Sequence, residues 1–195
     1  MRATSTGAIV LLAASVVMAA PLTKTLSDAF AKKIVLVQKM AGQKSAKDRL
    51  TAFSQDETNS YLKHGAGDLL PTGLTQPEIA MLGQGKVTGT AIVDLDIVRQ
   101  KQSSGSWFDP TSYLTGKLPV TASGRIVTWD GKGKFELATA EISGVPIPKS
   151  FLAQMVNFFT RTADNPRGSS IDDTFELPAE IQRIDVEQGR FVLHQ

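Results

Sequence analysis

Between Lys86 and Ile97 the chain alternates. Val87, Gly89, Ala91, Val93, Leu95 and Ile97 fall on one parity, and Lys86, Thr88, Thr90, Asp94 and Asp96 on the other, with Ile92 the exception. Period two over about six pairs predicts a strand with one buried face. A sheet built from such strands has to be covered on that face, so this segment limits the fold to layered architectures. Leu118, Val120, Ala122 and Ile126 alternate in the same way with Lys117, Thr121, Ser123 and Arg125. Asp130-Gly131 signals a hairpin returning into Lys134–Ile142. A last hairpin is expected from Gln182–Glu187 and Arg190–His194, joined through Gln188-Gly189. Shorter strands are expected at Arg49–Phe53 and Glu78–Leu82, the latter followed by a turn at Gly83 to Gly85. Hairpin connections throughout imply an antiparallel sheet.

The cover is expected from helices. Leu26, Phe30, Ile34, Val37 and Ala41 recur at steps of four and three, an amphipathic pattern that stops at Gly42. Ser54-Gln55-Asp56-Glu57 matches a capping box and opens a second helix ending near Gly65 or Gly67. Gly144-Val145-Pro146-Ile147-Pro148 breaks the sheet, and a third helix follows with Phe151, Leu152, Met155, Val156 and Phe159 on its apolar face. Arg99–Gly105 reads as a polar loop, and Trp107–Leu114 as a short helix or loop. The fold class is therefore α+β: a curved, one-sided antiparallel sheet packed around two or three amphipathic helices.

The 195 residues suffice for one domain with a core. The division expected is a signal peptide over 1–19, a basic amphipathic helix and linker over 20–49, and an α+β domain over 50–195. Arg2 is followed by an apolar run, Gly7–Val17, and Val17-Met18-Ala19 offers a cleavage site after Ala19. The rival reading is an uncleaved anchor, against which stands a stretch of about 16 residues where roughly 20 are needed to span. The expected location is the periplasm or outside the cell. With no cysteine there is neither a disulfide nor a lipid-modified residue after the leader. A formal net charge of +2 is too balanced for a nucleic-acid binder.

No chemical constellation outweighs its structural explanation, so the chain is read as non-catalytic, without metal or cofactor. Asp94 and Asp96 share one side of the expected strand and would serve acid–base chemistry only if their environments split their pKa values. The plainer reading is a solvated outer face, with Asp172-Asp173 in a polar loop. His64 and His194, the two histidines, are too few for a metal site. Gly131-Lys132-Gly133-Lys134 lacks the following helix N-terminus that would hold phosphate and reads as a flexible hairpin tip. Lys32, Lys33, Lys39, Lys44, Lys47 and Arg49 flank an apolar stripe, which fits either peripheral contact with an anionic membrane or the solvated side of a packed helix.

Ser54-Gln55-Asp56-Glu57-Thr58-Asn59-Ser60-Tyr61-Leu62, then Gly144-Val145-Pro146-Ile147-Pro148 with Phe151-Leu152, then Phe175-Glu176-Leu177-Pro178 with Ile181–Val186, Gly189 and Phe191 occur in that order. This succession resembles the LmeA-like and DUF2993-like set of small exported bacterial proteins, similar to tubular lipid-binding (TULIP-like) domains, over roughly Leu50–Gln195. The resemblance implies a long helix cradled by a bent sheet, a seam that holds acyl chains, and no catalytic residues. The expected function is binding or transfer of lipid or another apolar small molecule. The alternative is a structural or protein-interaction module of the cell envelope that docks through its N-terminal helix. The groove is expected to be lined by Phe53, Tyr61, Leu62, Leu118, Val120, Ile126, Phe151, Leu152, Met155 and Phe159. Trp107, Phe108, Tyr113 and Phe158 are further cavity candidates.

Overall fold

A computed structural model describes residues 21–43, 48–97, 116–161 and 165–195, without the side chains of Phe158 and Phe159. The expected leader and the segments Arg99–Gly105 and Trp107–Leu114 lie outside the described residues, as do Lys44 and Lys47. Helix α1 spans Lys24–Met40, β1 Leu50–Ser54 and α2 Gln55–His64. Strands β2 (Leu74–Gly83), β3 (Lys86–Asp94), β4 (Lys117–Trp129), β5 (Lys132–Ile142) and β6 (Val145–Pro146) follow. Helix α3 spans Lys149–Phe159, and β7 (Thr174–Glu176), β8 (Arg183–Glu187) and β9 (Arg190–His194) close the chain. The fold is α+β with a curved antiparallel sheet.

The strands form two sheets. The smaller has the order β1-β9-β8, and the larger β2-β3-β4-β5-β6, with β7 also on β5. The edge of β5 opposite β4 thus carries β6 at one end and β7 at the other. The small sheet meets the hairpin end of the large one. Gly85 N–H donates to Val186 O (3.1 Å), Gly189 N–H to Met81 O (2.9 Å), and the Thr128 hydroxyl both donates to Ile184 O (3.1 Å) and accepts from Ile184 N–H (3.0 Å). Irregular registers in β2 and between β4 and β5 bend the large sheet.

The parity read from the sequence is the parity of the sheet. Gly89 lies opposite Ala122, Ala91 opposite Val120 and Val93 opposite Leu118, so one face is apolar throughout. Thr88 and Ser123 hydrogen-bond each other on the other face (2.9 Å). The alternation stops earlier than expected. β3 ends at Asp94 and residues 95–97 are helical, because the Asp94 carboxylate accepts the N–H groups of Asp96 (3.1 Å) and Ile97 (3.2 Å) and caps a new turn. Ile97 accordingly sits 38% exposed instead of facing the core. Strand β2 is twice the expected length. It absorbs Pro77 because it is an edge strand with a bulge between Thr75 and Glu78, where Gln76 adopts φ 50°. The segment after β5 turns back at Ser143-Gly144 and adds β6 before α3 begins, so it extends the sheet by two residues rather than breaking it. Lys132, Gly133 and Lys134 pair with Glu176, Phe175 and Thr174, so this hairpin tip is held in a ladder and not loose.

Buried apolar residues form three clusters. The first joins α1, β1, β9 and the loop before β8 through Phe30, Val37, Phe53, Leu177, Ile181 and Leu193. The second, Val93 and Leu95 with Leu118 and Val120, sits at the far end of β3 and β4. The third places Leu152 of α3 and Ile171 on Ala140 of β5. The N-terminal helix is part of the first cluster, so it packs with the segment 50–195 and is no detached element.

Candidate functional site

The most concentrated polar sequence, Ser54 to Tyr61, folds into a clasp that uses nearly every side chain. Ser54 Oγ accepts from Glu57 N–H (3.1 Å) and the Glu57 carboxylate accepts from Ser54 N–H (2.9 Å), the expected capping box. The Lys33 ammonium donates to both Glu57 oxygens at 2.7 Å and to Ala52 O at 2.8 Å, and lies 5.6 Å from the centre of the Phe53 ring. Burial alone would push the Glu57 carboxyl up. The Lys33 hydrogen bond, the Ser54 N–H, the Lys33 charge and the Ser54 hydroxyl together outweigh it and hold the group below its ordinary value. Gln55 Oε1 accepts from Met81 N–H (2.7 Å). Asn59 accepts from Ile79 N–H (2.8 Å) and donates to Ile79 O (2.9 Å). One helical turn apart, these two amides occupy the outer edge of β2 as a neighbouring strand would. Ser60, fully buried, accepts from Thr23 N–H (3.2 Å) at the start of α1. Tyr61 stacks on Phe30 at 4.6 Å.

Beyond the C-terminal end of α2 the surface opens. A cleft of ≈ 950 Å³ lies between the end of α2, the turn after it and the bulged start of β2. Leu22, Leu62, Leu70 and Leu74 form its apolar wall, each half-buried, and Lys63, Asp68 and Glu78 supply charge. Leu74 lies opposite Val93 in the β2–β3 ladder, so the wall adjoins the apolar face of the sheet at its second cluster.

The expected groove residues distribute over several places. Phe53 has no exposed surface; its ring lies 4.9 Å from Phe30 and 4.8 Å from Phe191 and is enclosed by protein. Tyr61 packs against the same cluster. Leu62 lines the cleft. Leu118 and Val120 border the second cluster, and Ile126 faces Phe135 across the β4–β5 ladder. Leu152 and Met155 are buried and Phe151 half-buried on α3. The Phe159 side chain, with those of Trp107, Phe108, Tyr113 and Phe158, lies outside the described residues. Among the described ones, Leu62 alone reaches the cleft, and Phe53 with Tyr61, Leu118 with Val120, and Leu152 are divided among the three clusters.

The carboxylate pair also separates. Asp94 is 8% exposed and occupied as a helix cap, with Lys117 Nζ 3.9 Å away, which corrects its placement on a solvated face. Asp96 is exposed, and Asp96 Oδ1 accepts from Gly116 N–H at 3.3 Å. Asp172 pairs with Lys149 (2.6 Å). His194 contacts Asp185 (2.8 Å) and His64 approaches Leu22 O (3.4 Å), on different elements. No group of three or more metal-ligating side chains occurs among the described residues. No helix among them is long and apolar enough to cross a membrane. Of the expected membrane-facing lysines, Lys32 and Lys39 are exposed, whereas Lys33 is directed inward to Glu57.

The edge-capping role of Gln55 and Asn59 was not read from the sequence, and Lys33 was read as a membrane-facing lysine rather than as the partner of Glu57. The available signal was the Gln55–Asn59 spacing of four beside a capping box, on a helix otherwise poor in apolar residues. Comparison with protein-family models, with curated proteins and with solved structures finds no match.

Proposed function

We propose that the chain is an exported binding protein that holds lipid or another apolar small molecule non-covalently in the periplasm or outside the cell. The observation that carries this reading is the cleft walled by Leu22, Leu62, Leu70 and Leu74 next to the apolar face of a one-sided sheet. Its ≈ 950 Å³ falls in the range of small-molecule sites, about 300–1,000 Å³. Burial contributes about 0.8 kcal/mol per methylene, so an acyl chain needs no dedicated polar partner. The charged lining residues Lys63, Asp68 and Glu78, all exposed, suit the polar end of an amphipathic ligand. The resemblance to tubular lipid-binding domains supports the same ligand class.

The test is mass spectrometry of solvent extracts from purified protein, followed by titration with a fluorescent fatty acid. Co-purified lipid and saturable binding are expected, with Leu62→Arg weakening the probe at least about tenfold through loss of apolar contact and added charge. Lipid-free protein that also ignores the probe overturns the proposal.

A further inference from the structure

The outer side of α1 is unusual for a helix whose inner side is so well packed. Phe30 and Val37 are buried in the first cluster, yet Val35 and Leu36 are 46% and 51% exposed. Lys32 and Lys39 bracket them, so that Lys32, Val35, Leu36 and Lys39 occupy i, i+3, i+4 and i+7 on one face. The charge on this face is uncompensated. Among the described residues neither Lys32 nor Lys39 forms an ion pair, while Lys24 is paired with Asp28 (3.3 Å) and Lys33 with Glu57. From Ala29 to Gln43 the chain contains no acidic residue. The nearby Glu180 carboxylate is turned onto Gly42 N–H (2.8 Å). At the end of the helix the Arg49 guanidinium donates to Met40 O (2.9 Å) and Gln43 O (3.0 Å), which adds a further positive charge there.

We infer that this face of α1 is a docking surface for an anionic lipid bilayer, with Val35 and Leu36 entering the headgroup boundary and Lys32 and Lys39 at the level of the phosphates. Two adjacent aliphatic side chains between two unpaired cations match the chemistry of that boundary, apolar below and anionic above. A protein partner with an apolar patch would leave the lysines without a counter-charge unless it were acidic. The contact is weak and reversible, because two half-exposed aliphatic side chains bury little area. It brings the protein to a membrane without committing its ligand cleft, which is lined by Leu22, the end of α2, the turn after it and the start of β2, and by no residue of α1. The inference is independent of what the cleft binds.

The experiment is vesicle co-sedimentation with the chain beginning at Ala20, which keeps every described residue of the fold. Vesicles of phosphatidylglycerol with phosphatidylcholine are compared with phosphatidylcholine alone. Binding is expected to the anionic vesicles only and to fall as salt rises. The double substitution Lys32→Gln and Lys39→Gln should weaken it about 25-fold, at roughly fivefold per lysine. Val35→Ser with Leu36→Ser should weaken it about tenfold. Lys86→Gln, a surface lysine on the large sheet, should leave it unchanged. Circular dichroism shows that each variant is folded. Equal binding to neutral vesicles, or equal binding by all variants, overturns the inference. So does a light-scattering result in which the unaltered chain is a dimer, the Val35/Leu36 variant is a monomer and neither binds vesicles, which assigns the face to self-association. Lipid content of the cleft, read separately by mass spectrometry, is unaffected by these substitutions.

Discussion

Replacing Asn59 by alanine should cost more stability than any other polar truncation on α2. The side chain is 2% exposed and makes two hydrogen bonds to one residue, Ile79 N–H at 2.8 Å and Ile79 O at 2.9 Å. A hydrogen bond contributes about 1 kcal/mol net, and a buried backbone group left without a partner costs about 1–3 kcal/mol. With both partners stranded on an edge strand covered by α2, the expected loss is about 3 kcal/mol. Gln55 provides the internal comparison: it accepts one bond on the same edge, from Met81 N–H at 2.7 Å, so Gln55→Ala should cost about 1 kcal/mol. Urea unfolding followed by circular dichroism gives both values from shifts in midpoint at unchanged slope. Hydrogen exchange adds a local readout, since the Ile79 amide should lose protection in Asn59→Ala beyond what the global destabilisation explains. Because the two amides pin one strand, the double variant should depart from additivity. If Asn59→Ala costs no more than Gln55→Ala, the helix is held by apolar contact alone and the edge-capping account is refuted.

Three further outcomes follow from the same contacts. Gly124→Ala should destabilise the domain severely or prevent folding, because an added Cβ meets the Phe135 ring at 2.5 Å and the Glu136 carbonyl. Gly89→Ala on the neighbouring strand, where nothing lies within 4 Å, should be tolerated; thermal melts of the pair check both. Glu57 has a carboxyl held below its ordinary value of 4.5, so its contribution is fully present above that pH and disappears as pH falls through the lowered value. Stability of the unaltered chain should therefore drop more steeply below pH 4.5 than that of Glu57→Gln, measured by urea midpoints across the acid range. Lys33→Ala should raise the Glu57 pKa by removing its cation and principal donor, which is visible in carboxyl NMR titration, and should weaken the α1–α2 contact.

The strands were legible where side-chain period alone decides the outcome. Val87 to Val93 alternate because one face is apolar, half-buried up to Ala91 and buried at Val93, and Asp130-Gly131 and Gln188-Gly189 turn where positive φ is required, at Gly131 (75°) and Gly189 (73°). The capping box was legible because its two bonds are local. What the sequence hid depended on distant partners. Asp94 continues the period-two pattern, yet its carboxylate finds the N–H groups of Asp96 and Ile97 and ends the strand. Pro77 argues against a strand until β2 is known to be an edge. The apolar residues expected in one groove share hydrophobicity but not location. Phe53 is enclosed by Phe30 and Phe191, while Leu62, on the helix that follows it, faces the cleft. Periodicity reports that a face is apolar, and only the packing of α1 decides which part of that face is filled.

That division bears on function. The segment Ser54–Tyr61, the most polar stretch of α2 and its N-cap, has its hydroxyls, amides and Glu57 engaged in holding α1, α2 and β2 together. Such a clasp fixes α2 rigidly beside the edge of β2 and leaves the next turn of the same helix, with Leu62 and Lys63, overhanging the bulge at Thr75–Glu78. The bulge moves the start of β2 out of regular register, and the cleft opens there. Rigid support on one side and irregular backbone on the other is an arrangement that keeps an apolar wall from collapsing onto itself, since neither Asn59 nor Gln55 can leave β2 without stranding buried polar groups. A cleft maintained in this way should stay open without any ligand. Under the lipid-binding proposal, solvent extraction should lower the unfolding midpoint by ligand linkage alone, with the α2–β2 amides still protected from exchange. Loss of protection at Ile79 and Met81 after extraction would mean that a ligand, and not the clasp, holds the cleft open.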